Sequence, residues 1–340
     1  MKKRTFKSIA GVSLALLPLS LLVATTSPSS GASTQVVNVV GYSVVSSAFT
    51  ALENGFEATP AGQGVTFTNS FGASTTQAED VVAGQPADVT VLSQVPDLDL
   101  LVNAGLVSPT WQTYAASKRE SGFVSNSVVA IVVRRGNPLG ITGWNSLTKA
   151  GVQIVTPDPI SSGSARWNLL AAYESQLQQG KKPAAAKSYL NALVGNVVSE
   201  PTSGSHALTT FLSGTGNVLL AYEADAESAI ALGDQVQVID PQQNLLIQNP
   251  SALTNTGLAN PAAVAFYAFL YSQAGQTILV HQNFRSTLPS FAAYDKRAFY
   301  TPKKLVLISQ LGGWTAVTNK FFAPSTGIVT QIESAHGYTS

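Results

Sequence analysis

The stretch Thr156–Leu177, TPDPISSGSARWNLLAAYESQL, joins an apolar run (Val152–Thr156) to a helix-like segment opening at Arg166-Trp167. Two prolines close the apolar run, and four small residues, Ser161-Ser162-Gly163-Ser164, follow. A strand that ends in such residues and feeds a helix is the βα half of a βαβ unit. Serine and glycine at this place have two readings. They are ordinary helix N-caps, or they open the unpaired N–H groups of a helix N-terminus to an anion.

The same alternation extends along the chain. Strand-like runs are Val36–Val40, Val65–Asn69, Asp88–Leu92, Ser127–Arg134, Val152–Thr156, Val197–Glu200, Asn217–Tyr222 and Val236–Asp240. Helix-like segments are Ser46–Glu57, the residues through Val82, Leu98–Ala104 with Gly105 as C-cap, Pro261–Tyr271 and Gln273–Gln282. Strands alternating with helices imply an α/β fold with largely parallel sheets. No internal repeat or long low-complexity linker interrupts the pattern.

Four strand-to-helix joints share one chemistry. They are Gly41-Tyr42-Ser43, Gly72-Ala73-Ser74-Thr75-Thr76, Ser161-Ser162-Gly163-Ser164 and Thr202-Ser203-Gly204-Ser205. Each is small and rich in hydroxyls, and none contains a carboxylate. In open α/β sheets ligands sit beyond the carboxyl ends of the strands, where such joints lie. A fully ionised oxyanion needs donors only, whereas a protonated phosphate also needs an acceptor. The joints therefore lean toward a sulfate-like ligand, with Glu223 and Asp97 as the carboxylates that would change this if they folded in.

Composition narrows the class. The 340 residues suggest about two domains. Charged residues are 11% and net charge is +1, which leaves no electrostatic footprint for nucleic acid. There is no cysteine, so disulfides, thiol nucleophiles and cysteine metal sites are excluded. MKKRTFK, the apolar run Ile9–Val23 and the small residues Ser30-Gly31-Ala32 have the three-part form of a cleavable signal peptide over 1–32. The mature chain is expected outside the cytoplasm, periplasmic or otherwise extracytoplasmic.

Catalytic signatures are sparse. His206, His281 and His336 lack zinc-site spacing, and no Gly-x-Ser-x-Gly elbow, Walker loop or full Gly-x-Gly-x-x-Gly is present. Ser146-Leu147-Thr148-Lys149 matches Ser-x-x-Lys without the accompanying motifs. Glu223, Asp225 and Glu227, spaced by two, read as a solvated face. Arg166 is either a surface arginine or a tie to a loop carbonyl or carboxylate behind the anion site. No enzyme, cofactor or metal is expected.

VVRRGNPLGITGWNSLTKAGVQIVTPDPISSGSARWNLLAAY closely resembles the bacterial sulfate- and thiosulfate-binding proteins of ABC importers. SFGASTTQA, ADVTVL, FLSGTGNVLLAYEADA, GQTILVHQNFR and GGWTAVTNKFF match further blocks of that family, so the resemblance runs from about 36 to 322. It implies a type II periplasmic-binding-protein fold of two lobes with the ligand cleft between them. Lobe I is expected over 33–113 plus about 218–283, and lobe II over about 114–217 plus about 284–340. The resemblance also implies sulfate or thiosulfate as ligand and permease subunits of an importer as partners. Molybdate, tungstate or phosphate is the alternative ligand, and the chain is expected to be a monomer.

Residue by residue, the resemblance implies backbone N–H donors at Ser43, Gly163, Ser164 and Gly204, and hydroxyl donors at Ser74 and Ser162. Tyr222 stands where the family has a tryptophan whose indole donates. Arg166 and Asp97 are expected behind these donors. Ser43, Ser164 and Gly204 replace an aspartate, a glycine and an alanine at positions that use the main chain. Tyr222 for Trp changes the reach of a side-chain donor, and with it the expected preference among oxyanions.

Overall fold

The computed structural model describes residues 35–338. The expected signal peptide over 1–32 lies outside the described residues. Twelve strands occur among the described residues: β1 Gln35–Tyr42, β2 Val65–Gly72, β3 Val89–Val91, β4 Phe123–Ser127, β5 Val129–Arg134, β6 Ile154–Val155, β7 Val197–Ser199, β8 Val218–Tyr222, β9 Val236–Ile239, β10 Gln243–Leu245, β11 Ile247–Leu253 and β12 Lys304–Val306. Ten of them form two five-stranded sheets, ordered β2-β1-β3-β11-β4 and β7-β6-β8-β5-β9, while β10 pairs with β12. The helices that shape the cleft are α1 Ser46–Glu57, α2 Ser74–Val82, α3 Val95–Asn103, α4 Gly163–Gln178, α5 Pro183–Val194, α6 Gly204–Leu212 and α7 Glu223–Ala231. The molecule is thus a two-lobed α/β protein with helices flanking each sheet.

The sheets are mainly parallel, as expected: in each, four of the five strands point the same way and one is reversed. In the first sheet β1 pairs in parallel with β2 and β3, but β11 runs antiparallel to β3 and β4. In the second, β6 is parallel to β7 and β8, but β5 is antiparallel to β8 and β9. The antiparallel strands are those at which the chain passes from one sheet to the other. A strand entering from the neighbouring lobe is free of the βαβ crossover that enforces parallel pairing.

Strands buried on both faces explain the apolar runs. In β5 (VAIVVR), Val129, Ile131 and Val133 join one core while Ala130 and Val132 join another. In β1, Val37 and Val39 face the main core and Val40 the opposite one. A period of two that is apolar in both phases is the pattern of a covered interior strand. The helices at Pro261–Leu270 and Gln273–His281 are apolar because they pack on the first lobe, against α1 and β1. No single helix among the described residues is long and apolar enough to cross a membrane.

The chain crosses between lobes at three places set close together. The first is a single residue, Val128, between β4 and β5. The second is the segment 240–246 between β9 and β11, which contains β10. The third follows Arg285, whose backbone exchanges two hydrogen bonds of 2.9 Å with Asn126 of β4. Asn244 of β10 is fully buried and its amide mimics a strand partner for Val129: Nδ2 donates to the Val129 carbonyl at 2.7 Å, and Oδ1 accepts its N–H at 3.2 Å. Arg285 also donates twice, each at 2.7 Å, to the buried Glu223 carboxylate at the start of α7. The sequence reading divided the lobes at 113/114 and near 217/218. Strand pairing puts β4 in the first sheet and β8 and β9 in the second. The short polar β4, FVSNS, gives no apolar signal of its own, and β8 looks like any interior strand until its partners are known.

Candidate functional site

All four small, hydroxyl-rich joints end strands on the edges of the two sheets that face each other. Ser43 opens a 3-10 turn after β1, and Ser74 opens α2 after β2. Ser162 is the N-cap of α4 with Gly163 and Ser164 in its first turn. Gly204 opens α6, and Tyr222 ends β8 as the N-cap of α7. The first two joints belong to one lobe and the last three positions to the other.

The two lobes touch across these joints. Ser205 N–H donates to Ser43 Oγ at 3.3 Å, and Thr75 N–H donates to the Ser161 carbonyl at 3.0 Å. A methyl group built on Gly163 would lie 2.7 Å from both Cβ and Oγ of Ser93, closer than any real contact. One built on Gly204 would lie 2.7 Å from Val44 Cγ2, 3.2 Å from Ser164 Oγ and 3.6 Å from Asp225 Oδ2. These glycines are needed for close approach between lobes, since their φ is not positive.

Ser93 is the residue on which the second lobe converges. Its Oγ lies 2.7 Å from Tyr222 Oη, in a pair where either oxygen can donate. Its carbonyl accepts Trp167 Nε1 at 2.9 Å and Asn249 Nδ2 at 3.1 Å. Its N–H donates to Ser74 Oγ at 2.9 Å. Tyr222 is buried, with its ring 5.9 Å from Tyr42, and burial pushes its hydroxyl well above the usual tyrosine range. The phenol therefore stays neutral, able to donate or accept.

The expected site residues divide by what they already hold. Ser74 Oγ gives its one proton to Asp97 Oδ2 at 2.6 Å. A hydroxyl has one hydrogen, so in this arrangement the Ser74 donor facing the cleft is its N–H. Asp97 is buried and also accepts Thr75 Oγ1 and Gln94 Nε2, each at 2.9 Å. Burial raises its pKa, opposed by the Ser74 hydrogen bond and by the charge of Arg166. Arg166 lies behind the joints, where its charge reaches Asp97: Nε donates to the Pro159 carbonyl at 2.8 Å, and the guanidinium lies 5.1 Å from the Phe322 ring centroid. Ser162 is buried and makes no capping bond with its side chain.

Three participants escaped the sequence reading. Ser93-Gln94 is a fifth joint of the same type, between β3 and α3, signalled by Pro96 and Asp97 in the following first turn. Asn249 lies in a run, NPSAL, whose proline masks a strand. Asp225 was read with Glu223 and Glu227 as a solvated face, and this is overturned: Asp225 and Glu223 are buried. Glu223 is held by Arg285. Asp225 Oδ2 is buried without a hydrogen-bond partner, and desolvation raises its pKa to about 7. The buried Tyr42 hydroxyl is also without a partner.

This geometry brings helix N-termini, hydroxyls and amides of both lobes together, with one neutralisable carboxylate beside them. Such a lining suits an oxyanion that receives hydrogen bonds on every side.

Comparison with known proteins agrees with this architecture. Residues 37–285 match the family described as bacterial extracellular solute-binding protein. The sulfate-binding protein of Synechococcus elongatus is 34% identical over 304 residues, covering 86% of each chain. The thiosulfate-binding protein of Pseudomonas aeruginosa is 32% identical, covering 80% of this chain and 83% of its own length. Among solved structures, the sulfate-binding protein SubI from Mycobacterium tuberculosis H37Rv has a TM-score of 0.80 at 37% identity, covering 85% of this chain and 99% of its own. A periplasmic thiamin binding protein, with a TM-score of 0.63 at 17% identity, shares the fold. The chain belongs to the sulfate- and thiosulfate-binding branch of the bacterial extracellular solute-binding proteins.

Proposed function

We propose that this protein captures a sulfate or thiosulfate dianion between its lobes, outside the cytoplasm, and hands it to the membrane subunits of an ABC importer. The observation that carries the reading is the convergence of the helix N-termini of both lobes on one cleft whose polar lining is almost entirely uncharged. Ser43, Ser74, Gly163, Ser164 and Gly204 offer N–H groups, while Ser162 and Tyr222 offer hydroxyls. Each hydrogen bond to a charged acceptor contributes about 1.5–3 kcal/mol, and burying a dianion without such bonds is prohibitive. Several donors are therefore needed, and both lobes must supply them. Lobe I on this reading is the first sheet, 35–127 with 247–285, and lobe II is 129–239 with the C-terminal segment. The relatives act as binding proteins, and the cleft is assigned no bond-making role.

Asp225 favours a second ligand reading. An ionised carboxylate at the cleft would accept a hydrogen bond from a protonated oxyanion such as hydrogen phosphate. A protonated Asp225 would instead donate to sulfate. Calorimetry with sulfate, thiosulfate, molybdate and phosphate at pH 6 and pH 8 separates the two. Tight sulfate or thiosulfate binding that weakens at pH 8 supports the first reading. Phosphate binding that holds or strengthens at pH 8, with no sulfate response, sinks it.

A further inference from the structure

Among the described residues the chain holds one ion pair, Arg285 with Glu223, and it lies where the lobes meet. Arg285 stands on lobe I through its backbone, which exchanges two 2.9 Å hydrogen bonds with Asn126 of β4. Its guanidinium reaches lobe II, where Nε donates to Glu223 Oε2 and Nη2 to Glu223 Oε1, each at 2.7 Å. The Tyr300 carbonyl takes a further bond from Nη2, and the Phe299 ring centroid lies 5.2 Å from the guanidinium carbon. The two side chains are 12% and 3% exposed. A fork of two such bonds fixes both the distance and the plane of the partners.

The place of Glu223 gives the pair its consequence. Glu223 is the first residue of α7, directly after Tyr222. Its N–H donates at 2.9 Å to the carbonyl of Val128, the single residue of the first crossing, and its side chain is held by the third crossing. Tyr222 pairs with Val129 at the end of β8 and carries the hydroxyl that meets Ser93 of lobe I at 2.7 Å. Two consecutive residues of lobe II are thus fastened to lobe I, one across the cleft and one at the crossings. A buried ion pair adds little to stability compared with well-packed apolar side chains, so stability is a weak reason for building one here. Arg285 gives no hydrogen bond to the cleft donors, so any effect on the anion passes through Glu223.

We propose that Arg285 and Glu223 are positioning residues: their ion pair sets the angle at which the lobes close, and so brings the Tyr222 hydroxyl onto Ser93. This rests on the oxyanion-binding reading given above. The rival explanation is electrostatic, with Arg285 only cancelling a negative charge beside the anion. The two differ in sign. Removing Glu223 tightens anion binding if charge is what matters, and weakens it if closure is.

The test is calorimetric titration with sulfate of the parent protein, Glu223→Ala, Tyr222→Phe and the two combined. Glu223→Ala should bind three- to tenfold more weakly, and no more weakly than Tyr222→Phe. In the Tyr222→Phe background it should cost less than a further twofold, because losses that act through one hydroxyl are not additive. Tighter binding in Glu223→Ala, or losses that multiply, would overturn the proposal. Should Glu223→Ala fail to fold, Arg285→Met with Glu223→Gln leaves no buried charge unpaired and should show the same loss; an affinity within twofold of the parent would count against the proposal equally. A measurement without ligand separates this proposal from the sulfate reading. Trp167 of lobe II donates its Nε1–H to the Ser93 carbonyl of lobe I at 2.9 Å, so its exchange with deuterium reports lobe opening. That exchange should be at least fivefold faster in Glu223→Ala, with the Leu220 N–H inside β8 unchanged. Unchanged exchange at Trp167, or equal acceleration at both sites, would refute the positioning role. A parent protein that binds no sulfate would sink the ligand reading alone.

Discussion

The cleft and the rear cavity lie on two sides of one loop, Asp158–Ser164, and their chemistries are opposite. The cleft gathers N–H and hydroxyl donors around a space with one carboxylate. The cavity, about 540 Å³ between Asp158–Ile160 and the C-terminal segment, sets two buried glutamates, Glu200 and Glu333, behind a largely apolar wall. Neither solves its problem by building an ion pair in place. Arg166 stands between them: its charge reaches Asp97 behind the Ser74 joint, while Pro159 and Phe322 hold its guanidinium at the cavity wall. The lesson is that one loop can serve two opposite linings, with backbone N–H groups turned to one and carboxylates to the other.

Gly163→Ala is the strongest way to break this contrast. The added methyl meets the Ser93 backbone-proximal Cβ at 2.7 Å, which no side-chain rotation relieves. The lobes then cannot meet, and sulfate affinity measured by calorimetry should fall at least about 100-fold, or about 2.7 kcal/mol. An affinity within threefold of the parent protein would mean that the lobes close without this contact.

Asp225 gives the next largest effect. Its pKa is raised to about 7 by desolvation. A bound dianion favours the protonated carboxyl, so sulfate affinity is full below pH 7 and should fall about tenfold between pH 6.5 and 8, in line with linkage. Asp225→Asn should bind sulfate without that pH dependence. The same shift acts on folding. The native state holds its proton when the unfolded chain has lost it, so the stability Asp225 contributes is complete below about pH 4 and lost by about pH 7. A pH profile of sulfate binding identical in Asp225→Asn and the parent protein would remove the residue from the cleft.

Tyr222→Phe should weaken sulfate about five- to tenfold. It deletes the hydroxyl paired with Ser93 and leaves Ser93 Oγ buried, a loss of about 1–1.5 kcal/mol. Tyr222→Trp, which restores the family's residue, would sharpen the comparison if it shifted preference between sulfate and thiosulfate. The smallest effect is expected from Glu333→Gln without any ligand. Removing one of two buried carboxyls that crowd each other, for a gain of about 1 kcal/mol, should raise Tm by about 1–2 °C in a chain of this size, measured by calorimetric unfolding.

Much of the cleft could be read from the sequence because helix N-termini announce themselves locally. Ser162-Gly163-Ser164 and Ser203-Gly204-Ser205 are small residues between an apolar run and a helical pattern, and each pattern fits within a dozen residues. What escaped was set by distant partners. Ser93 matters because Trp167, Tyr222 and Asn249 reach it from far along the chain. Asp225 resembled an exposed acid because its spacing cannot show that Gly204 of α6 packs beside it. The lobe boundaries were missed for the same reason: β4 is polar, and membership of a sheet is a property of pairs of strands.

The three lobe crossings have a mechanical consequence. Val128 alone links β4 to β5, Asn244 laces the second crossing to Val129, and the Arg285 backbone laces the third to Asn126. Straps bound to one another along a line resist sliding and twisting, and leave the lobes one soft degree of freedom, rotation about that line. Opening is then a swing like that of a door, in which every donor in the cleft leaves the anion along a nearly common arc. An external machine that pulls on either lobe at its far edge would have the longest lever arm for setting the ion free.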